Sequence, residues 1–154
     1  MKRRNKILLL LLCIFIAIQF IKPARNKGGQ VLFSDIENIY TVPNSVLSIL
    51  KNSCYDCHSN NTKYPWYSAI QPGAWFMAWH IKDGKEQLNF NEFGTCSKRK
   101  QQSKLKEMRN KISDGSMPLR SYTLIHENAK LSENDKIILL SWIDKTKDSL
   151  SLKN

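Results

Sequence analysis

The sequence is poor in acidic residues, glycine, proline and cysteine, and each shortage excludes a class of protein. Its 154 residues include 6 glycines, 5 prolines and 4 cysteines, too few for a collagen-like, low-complexity or disulfide-dense chain. Residues 7–21 form one long apolar run and no second run follows, which excludes a protein with several membrane spans. With 24 Lys and Arg against 13 Asp and Glu, the formal net charge is +11. A small basic domain with an N-terminal appendage remains.

The N-terminal apolar run predicts an export segment. Four basic residues precede it, as in secretory signals: Lys2, Arg3, Arg4 and Lys6. A helix over residues 7–21 would rise about 22 Å, less than the ~30 Å hydrocarbon core, although flanking lysines can snorkel to the interface. The small residues of a signal-peptidase site are absent. We therefore predict an uncleaved anchor over residues 1–21, with a cleaved signal as the alternative, and place the rest of the chain on the periplasmic side of the inner membrane.

The remaining sequence divides into a linker and a helical domain. Polar residues 22–30 predict a flexible linker, and the mixed pattern that follows extends it to residue 42. Helix starts are indicated after Pro43, at the N-cap Ser97, and at a capping box that begins at Ser132, while Gly115 marks a helix end. No alternating strand pattern is present. Residues 43–150 are therefore predicted to form one all-α domain of four or five helices.

Residues 54–58 read Cys-Tyr-Asp-Cys-His, the C-x-x-C-H signature of covalent haem attachment. Positions three apart share a helix face, so one turn presents the sulfurs of Cys54 and Cys57 to the two vinyl groups of one porphyrin. His58 follows at the position from which its imidazole can reach the iron. The porphyrin would also add apolar surface to a lean core. The motif and the export segment together predict haem c as the cofactor.

Two other interpretations of the cysteine pair are weaker. A structural zinc site would need two further ligands, but the sequence has no second C-x-x-C and no suitably spaced histidine pair. A thioredoxin-like dithiol would need a βαβ setting, which the helical pattern does not provide.

A distal iron ligand is predicted at Met117, within the Gly-Ser-Met-Pro block of residues 115–118. Pro118 disfavours helix at the residue before it, so an extended Met117 can direct its thioether at the iron. The alternatives are a Met117 that only fills a core gap, or a histidine ligand at His80 or His126. His80 lies on a helix predicted to be buried, and His126 is expected at the surface.

Aromatic side chains crowd one stretch of the chain: Tyr64, Trp66, Tyr67, Trp75 and Trp79. Core packing is the simpler interpretation, and packing around a haem edge is the second. The predicted helix over residues 73–85 is apolar on most sides, so we expect it to be buried. Cys96 is expected to be a small buried apolar residue, with a regulatory thiol as the alternative.

Basic residues are concentrated in residues 98–111: Lys98, Arg99, Lys100, Lys104, Lys106, Arg109 and Lys111. Leu105, Met108 and Ile112 form one apolar stripe with charges on both sides, the pattern of a solvated amphipathic helix. A docking face for an acidic protein or for anionic lipid is the alternative. Nucleic acid is not an expected partner outside the cytoplasm.

Several sequence blocks resemble the bacterial haem-binding domain family of monohaem c-type cytochromes. They are C-x-x-C-H-S-N at residues 54–60, Tyr-Pro-Trp-Tyr at 64–67, Leu-Asn-Phe at 88–90, Met-Pro at 117–118 and Ser-Tyr-Thr at 121–123. The resemblance covers residues 45–144 and implies haem on Cys54 and Cys57, with His58 as proximal ligand and Met117 as distal ligand. Residues 131–143 also resemble the C-terminal helix of small cytochromes, which packs against the helix entering the haem motif. No redox partner or reaction follows from the family.

The predicted protein is therefore a small cytochrome c-like domain with its helices around one haem. Its predicted function is single-electron transfer between redox partner proteins, with His58 and Met117 as iron ligands and no catalytic residue. A peroxidase-like haem enzyme or a haem-based sensor is the alternative, and either would need an open or displaceable distal position.

Overall fold

The computed structural model of the chain describes residues 2–28 and 32–151, so Met1 and residues 29–31 of the predicted linker lie outside the described residues. The α-helices of the described part are α1 Arg3–Ile18, α2 Ile36–Ile39, α3 Asn44–Ser53, α4 Tyr55–His58, α5 Gly73–Gln87, α6 Lys98–Ser113, α7 Arg120–Thr123 and α8 Glu133–Ser151. Three 3-10 helices accompany them, at Trp66–Ala69, Phe90–Thr95 and Glu127–Ala129.

The all-α prediction is confirmed for the described residues, but the expected helix count of four or five is too low. That count applied to the domain that begins at residue 43, where the structure has six α-helices, α3 to α8. Four of them have 10 residues or more, α3, α5, α6 and α8, and the other two, α4 and α7, have 4 residues each. A single turn is too short to give an apolar period, so sequence patterns do not reveal such helices.

The N-terminal helix α1 contains no buried residue and ends at Ile18. Within residues 2–28 and 32–151, no helix is both long enough and apolar enough to cross a membrane. The predicted anchor is therefore not supported. The physical reason is length, because 16 residues rise only about 24 Å.

The end of α1 is hydrogen-bonded to the start of α5. The Gln71 backbone N–H donates to Gln19 Oε1 at 2.9 Å. The carbonyl oxygen of Ile21 accepts from Gln71 Nε2 at 2.8 Å and from Trp75 Nε1 at 3.0 Å. These bonds tie the chain just after α1 to the helical domain.

Described parts of the predicted linker also contact the domain. The Asn26 backbone N–H donates to the Tyr64 hydroxyl at 2.6 Å, and Asn26 Nδ2 donates to the Ser59 carbonyl at 2.8 Å. Lys85 Nζ donates to Asn26 Oδ1 at 2.9 Å. Farther along, Ile36 belongs to the buried core. The linker boundaries themselves stay a prediction.

The core lies where α3, α6 and α8 pack together. On α6, Leu105, Met108 and Ile112 are buried, as their spacing predicts. The predicted caps are confirmed. Ser97 Oγ accepts from a backbone N–H of the first turn of α6 at 3.4 Å, and Ser132 Oγ accepts from Asp135 N at 3.1 Å. Because α8 packs against α3, the expected contact between the C-terminal helix and the helix entering the motif is also confirmed.

Helix α4 lies directly against α5 at Gly84. A Cβ at Gly84 would stand 2.9 Å from the Cys57 carbonyl oxygen and 3.3 Å from Cys57 Cβ. Only a residue without a side chain allows the two helices to approach this closely, so Gly84 determines the position of the motif.

We predict that Gly84→Ala destabilises the protein by about 1–3 kcal/mol, because the added methyl forces α4 away from α5. This loss exceeds the roughly 0.5–1 kcal/mol that alanine gains over glycine within a helix. Urea unfolding measures the effect. Lys82→Ala, an exposed site on the same helix, is the control and is expected to change stability by less than about 0.5 kcal/mol. A Gly84→Ala protein as stable as the parent would contradict the close packing.

Candidate functional site

The C-x-x-C-H motif forms its own helical turn. Helix α3 stops at Ser53, and Cys54 leaves helical geometry at φ −127° and ψ −40°. The Cys54 carbonyl oxygen then accepts from Cys57 N at 3.2 Å and from His58 N at 3.0 Å. This turn brings the two cysteines and the histidine together beside α5. Helix α3, which starts after Pro43 as predicted, therefore does not continue into the motif, and the separate turn α4 begins after Cys54.

Both motif cysteines are free thiols and partly buried. Burial, together with the neighbouring Cys57, raises the pKa of Cys54 to about 12. Burial and the charge of Asp56 raise the pKa of Cys57 to about 11. Both sulfurs are therefore protonated at neutral pH, and neither is an activated thiolate.

The His58 imidazole is held in one orientation by the backbone of α5 and the loop after it. Its Nδ1–H donates to the Leu88 carbonyl oxygen at 2.9 Å. Burial lowers the pKa of His58, while hydrogen bonds to the Leu88 and Gly84 backbone oppose that shift. The ring is therefore neutral at pH 7 and presents the lone pair of Nε2, the arrangement of a metal-ligating histidine with a fixed tautomer.

Cavities flank the motif on several sides. The first, of about 180 Å³, is lined by Cys54, Cys57 and His58 together with His80 and Met117. The second, of about 110 Å³, is lined by Cys54, His58 and Met117 and by apolar side chains that include Leu88, Phe90 and Met108. The third, of about 190 Å³, shares Cys57 and His80 with the first. Apolar space therefore adjoins the motif where a flat cofactor would lie.

Met117 reaches the first two cavities because the end of α6 turns sharply. Gly115 takes a φ of +73°, which favours glycine, and Ser116 N donates to Asp114 Oδ1 at 2.9 Å. Hydrogen bonds from Ser116 lower the pKa of Asp114. The Met117 N–H then donates to the Lys111 carbonyl oxygen at 3.0 Å. The structure thus brings Met117 together with Cys54, Cys57 and His58; its role as ligand stays a prediction.

The two alternative distal histidines lie in different places. His80 lines the first and third cavities, and its Nδ1–H donates to the Phe76 carbonyl oxygen at 2.8 Å. His126 lines none of these three cavities. Its Nε2 is hydrogen-bonded to the Tyr67 hydroxyl at 2.7 Å, and its ring stacks on Tyr122 with centroids 4.3 Å apart. Of the two, only His80 shares a cavity with His58.

The aromatic stretch is not a core cluster. Trp66 is 78% exposed and Trp79 is 62% exposed, so core packing is the wrong interpretation for both. The expectation of a buried α5 is wrong for its outer face, because Ala74, Met77, Ile81 and Gly84 form the face that packs inward. Trp79 lines the first cavity and Tyr67 lines the third, which places these two rings at the edge of the site.

Three features of the site were not predicted from the sequence. They are the Leu88 carbonyl that orients His58, the Tyr122 hydroxyl that donates to Asp56 Oδ2 at 2.7 Å, and the position, beside the second cavity, of two lysines from the basic helix, Lys104 and Lys111. Leu88 and Tyr122 lie in the Leu-Asn-Phe and Ser-Tyr-Thr blocks that resemble the family. The blocks do not show that a Leu88 backbone carbonyl and a Tyr122 hydroxyl form the hydrogen bonds. Cys96, away from these cavities, is a partly buried free thiol.

The donor set fits a haem iron. Two thiols, a neutral imidazole and a thioether surround apolar cavities, and these are the groups that attach and ligate haem in c-type cytochromes. In the described part of the chain, no group of three or more His, Cys, Asp and Glu side chains is placed to hold a metal ion by itself.

Comparison with protein families agrees with this geometry. Residues 13–145 match the model of the haem-binding domain family, and the chain belongs to that family. It is therefore a haem-binding domain, as the sequence blocks indicated. No curated protein and no solved structure matches the chain.

We predict that Tyr122→Phe costs about 1–2 kcal/mol near neutral pH, since it removes a hydrogen bond to a carboxylate. Burial and the bond to Asp56 raise the pKa of Tyr122. Above the ordinary tyrosine pKa of about 10, the unfolded chain therefore releases this proton while the folded chain retains it, and the contribution is lost as pH rises. Urea unfolding at pH 7 and pH 11 measures the difference in unfolding free energy between Tyr122→Phe and the parent, and we expect this difference to be smaller at pH 11. An equal difference at both pH values would contradict the hydrogen bond from Tyr122 to Asp56.

Proposed function

We propose that this domain binds haem c covalently through Cys54 and Cys57, uses His58 and Met117 as axial ligands, and transfers single electrons. One observation carries the proposal: Cys54, His58 and Met117 line the same two cavities, with the imidazole already oriented by Leu88. Thioether bonds from Cys54 and Cys57 would prevent loss of the cofactor, and with His58 and Met117 both holding the iron, no ligand bond would need to change during electron transfer.

The protein groups have separate tasks in this function. When bound, haem supplies an iron that changes its charge by one electron. His58 presents Nε2 and retains the Nδ1 proton against the Leu88 carbonyl oxygen. Met117, fixed by its backbone bond to Lys111, supplies a thioether, a ligand that raises the reduction potential relative to a second imidazole. Phe90, Met108 and the other apolar residues of the second cavity exclude water.

We further propose that the domain works in the periplasm. The basic residues at the start of α1 and the apolar sequence of the rest of that helix are the pattern of an export segment, and this pattern supports the proposal. Covalent attachment also suits a compartment in which lost haem is not replaced.

A second function rests on His80. This side chain lines the first cavity, and its bond to Phe76 uses Nδ1, so Nε2 is the ring nitrogen left for chemistry. A haem enzyme would use this nitrogen as a distal acid–base group, and a sensor would use a displaceable distal position. Rapid binding of carbon monoxide by the reduced parent protein would favour this function over the carrier.

We propose an acidic protein as the redox partner, docked on the α6 side of the second cavity. Lys104 and Lys111 line that cavity with His58 and Met117, and the one carboxylate beside them, that of Glu107, leaves the lining net positive. Lys104 Nζ also donates to the Gln87 carbonyl oxygen, a neutral acceptor that does not cancel its charge. Arg109 is engaged elsewhere, because its Nε donates to both carboxylate oxygens of Asp144 at 2.9 and 3.0 Å. The positive potential of α6 therefore lies beside the site from which an electron would leave.

Haem attachment is tested with the full chain produced alongside cytochrome maturation enzymes. We expect an intact mass increased by one haem and a pyridine haemochrome spectrum typical of two thioether bonds, both lost in Cys54→Ala/Cys57→Ala. Met117→Ala should abolish the long-wavelength ferric band of methionine ligation, whereas the matched His80→Ala should retain it. A colourless parent protein would overturn the function, and a haem-loaded parent protein that lacks the band would overturn the assignment of Met117 as ligand.

Docking is tested by charge reversal at the site, with ferricyanide as an anionic oxidant. We expect Lys104→Glu/Lys111→Glu to slow oxidation of the reduced protein by about tenfold at low ionic strength, and added salt to remove the difference. Lys130→Glu/Lys145→Glu carries the same change in net charge away from the described cavities and should have a much smaller effect. Equal effects would contradict a local docking surface. Co-sedimentation with vesicles of anionic phospholipid, lost only in the first variant, would indicate lipid as the partner.

A further inference from the structure

Three asparagines form a closed set of hydrogen bonds beside the motif. Asn89 Nδ2 donates to Asn60 Oδ1 at 2.9 Å. The Asn60 backbone N–H donates to Asn91 Oδ1 at 2.6 Å, and the Asn91 backbone N–H donates to Asn89 Oδ1 at 3.1 Å. Each asparagine is thus bonded to both others, and we refer to Asn60, Asn89 and Asn91 as the asparagine clamp.

The clamp joins the two chain segments that meet at the His58 imidazole. Asn60 lies two residues after His58, and Asn89 directly follows Leu88. The hydrogen bond from His58 Nδ1 to the Leu88 carbonyl oxygen connects the same two segments at 2.9 Å. Any movement of one segment past the other would stretch this bond, and the clamp opposes that movement.

The clamp is anchored in the buried part of the protein. Asn91 Nδ2 donates to Asp35 Oδ2, and Asp35 is only 3% exposed. Asp35 is itself fixed as the N-cap of α2, where its Oδ1 accepts from Glu37 N at 3.0 Å. Asn89 is 9% exposed. The buried amide of Asn89 and the buried carboxylate of Asp35 are hydrogen-bonded through the partly buried Asn60 and Asn91, and breaking a bond at either buried group leaves one of its polar atoms without a partner.

We propose that the asparagine clamp positions the Leu88 carbonyl against His58 and so tunes the donor strength of Nε2. This inference rests on the proposed function, in which Nε2 ligates the haem iron. A hydrogen bond at Nδ1 increases the electron density that the imidazole offers through Nε2, which stabilises the ferric state. Asn60, Asn89 and Asn91 are therefore positioning residues for the redox site, and loosening them raises the reduction potential.

The test compares Asn89→Ala, which deletes two clamp bonds, with Thr95→Ala. Thr95→Ala is the control. Without a change in charge, it removes the exposed hydrogen bond from Thr95 Oγ1 to the Glu92 carbonyl oxygen, within the 3-10 helix Phe90–Thr95 that Asn89 caps. Two quantities are measured on the haem-loaded full chain: the exchange rate of the His58 Nδ1 proton by NMR in the ferrous state, and the midpoint potential. A merely structural role for Asn89 would change neither.

In Asn89→Ala we expect Nδ1 proton exchange at least about tenfold faster, and a positive potential shift that lowers the ferric-to-ferrous ratio about threefold at a fixed potential. Thr95→Ala should match the parent in both. Unchanged exchange and potential in a folded Asn89→Ala protein would overturn the inference.

Two further outcomes are also decisive. If Asn89→Ala does not fold, Asn60→Ala, which deletes one clamp bond and keeps the backbone N–H, is judged by the same two measurements. If the parent protein carries no covalent haem by intact mass, the proposed function fails. If the parent carries haem and the variants match it, only the role of the clamp fails.

Discussion

The hydrogen bond from His58 Nδ1 to the Leu88 carbonyl oxygen is the interaction on which the site depends. It requires α4 to lie against α5 at Gly84, since a larger residue there would push the motif away from the loop that carries Leu88. It also fixes the tautomer of a partly buried, neutral imidazole. The direction of Nε2 follows from this bond, and His58 shares two cavities with Cys54 and Met117.

Much of the helical architecture could be predicted because its signals are local. Ser97 and Gly115 mark the two ends of α6 by their own hydrogen-bonding and backbone preferences, and Ser132 with Asp135 marks the start of α8 in the same way. The sequence signal for the chemistry of the site was also local, since C-x-x-C-H occupies five consecutive residues. Membership of the haem-binding domain family agrees with that prediction.

The unpredicted parts depend on contacts between distant segments. The helix is interrupted at Cys54, where the motif turns to pack against α5. The residues next to Cys54 in the sequence give no signal that a helix ends there. The hydrophobicity of Trp66 and Trp79 indicated burial, but which face of a helix is covered depends on what packs there, and these rings lie outside. The acceptor for His58 is a backbone carbonyl 30 positions away, and the direction of a carbonyl is not encoded in its residue type. The expected membrane anchor rested on hydrophobicity as well, and α1 is too short to support it.

The bonds among Gln19, Ile21, Gln71 and Trp75 have a mechanical consequence. They join the chain at the end of α1 to the start of α5. Gly84 of the same helix α5 packs against Cys57 of the motif. A flexible junction at this point would leave the direction of α1 independent of the rest of the domain. Because the junction is hydrogen-bonded, the direction of α1 is instead coupled to that of α5, the helix against which the C-x-x-C-H motif packs.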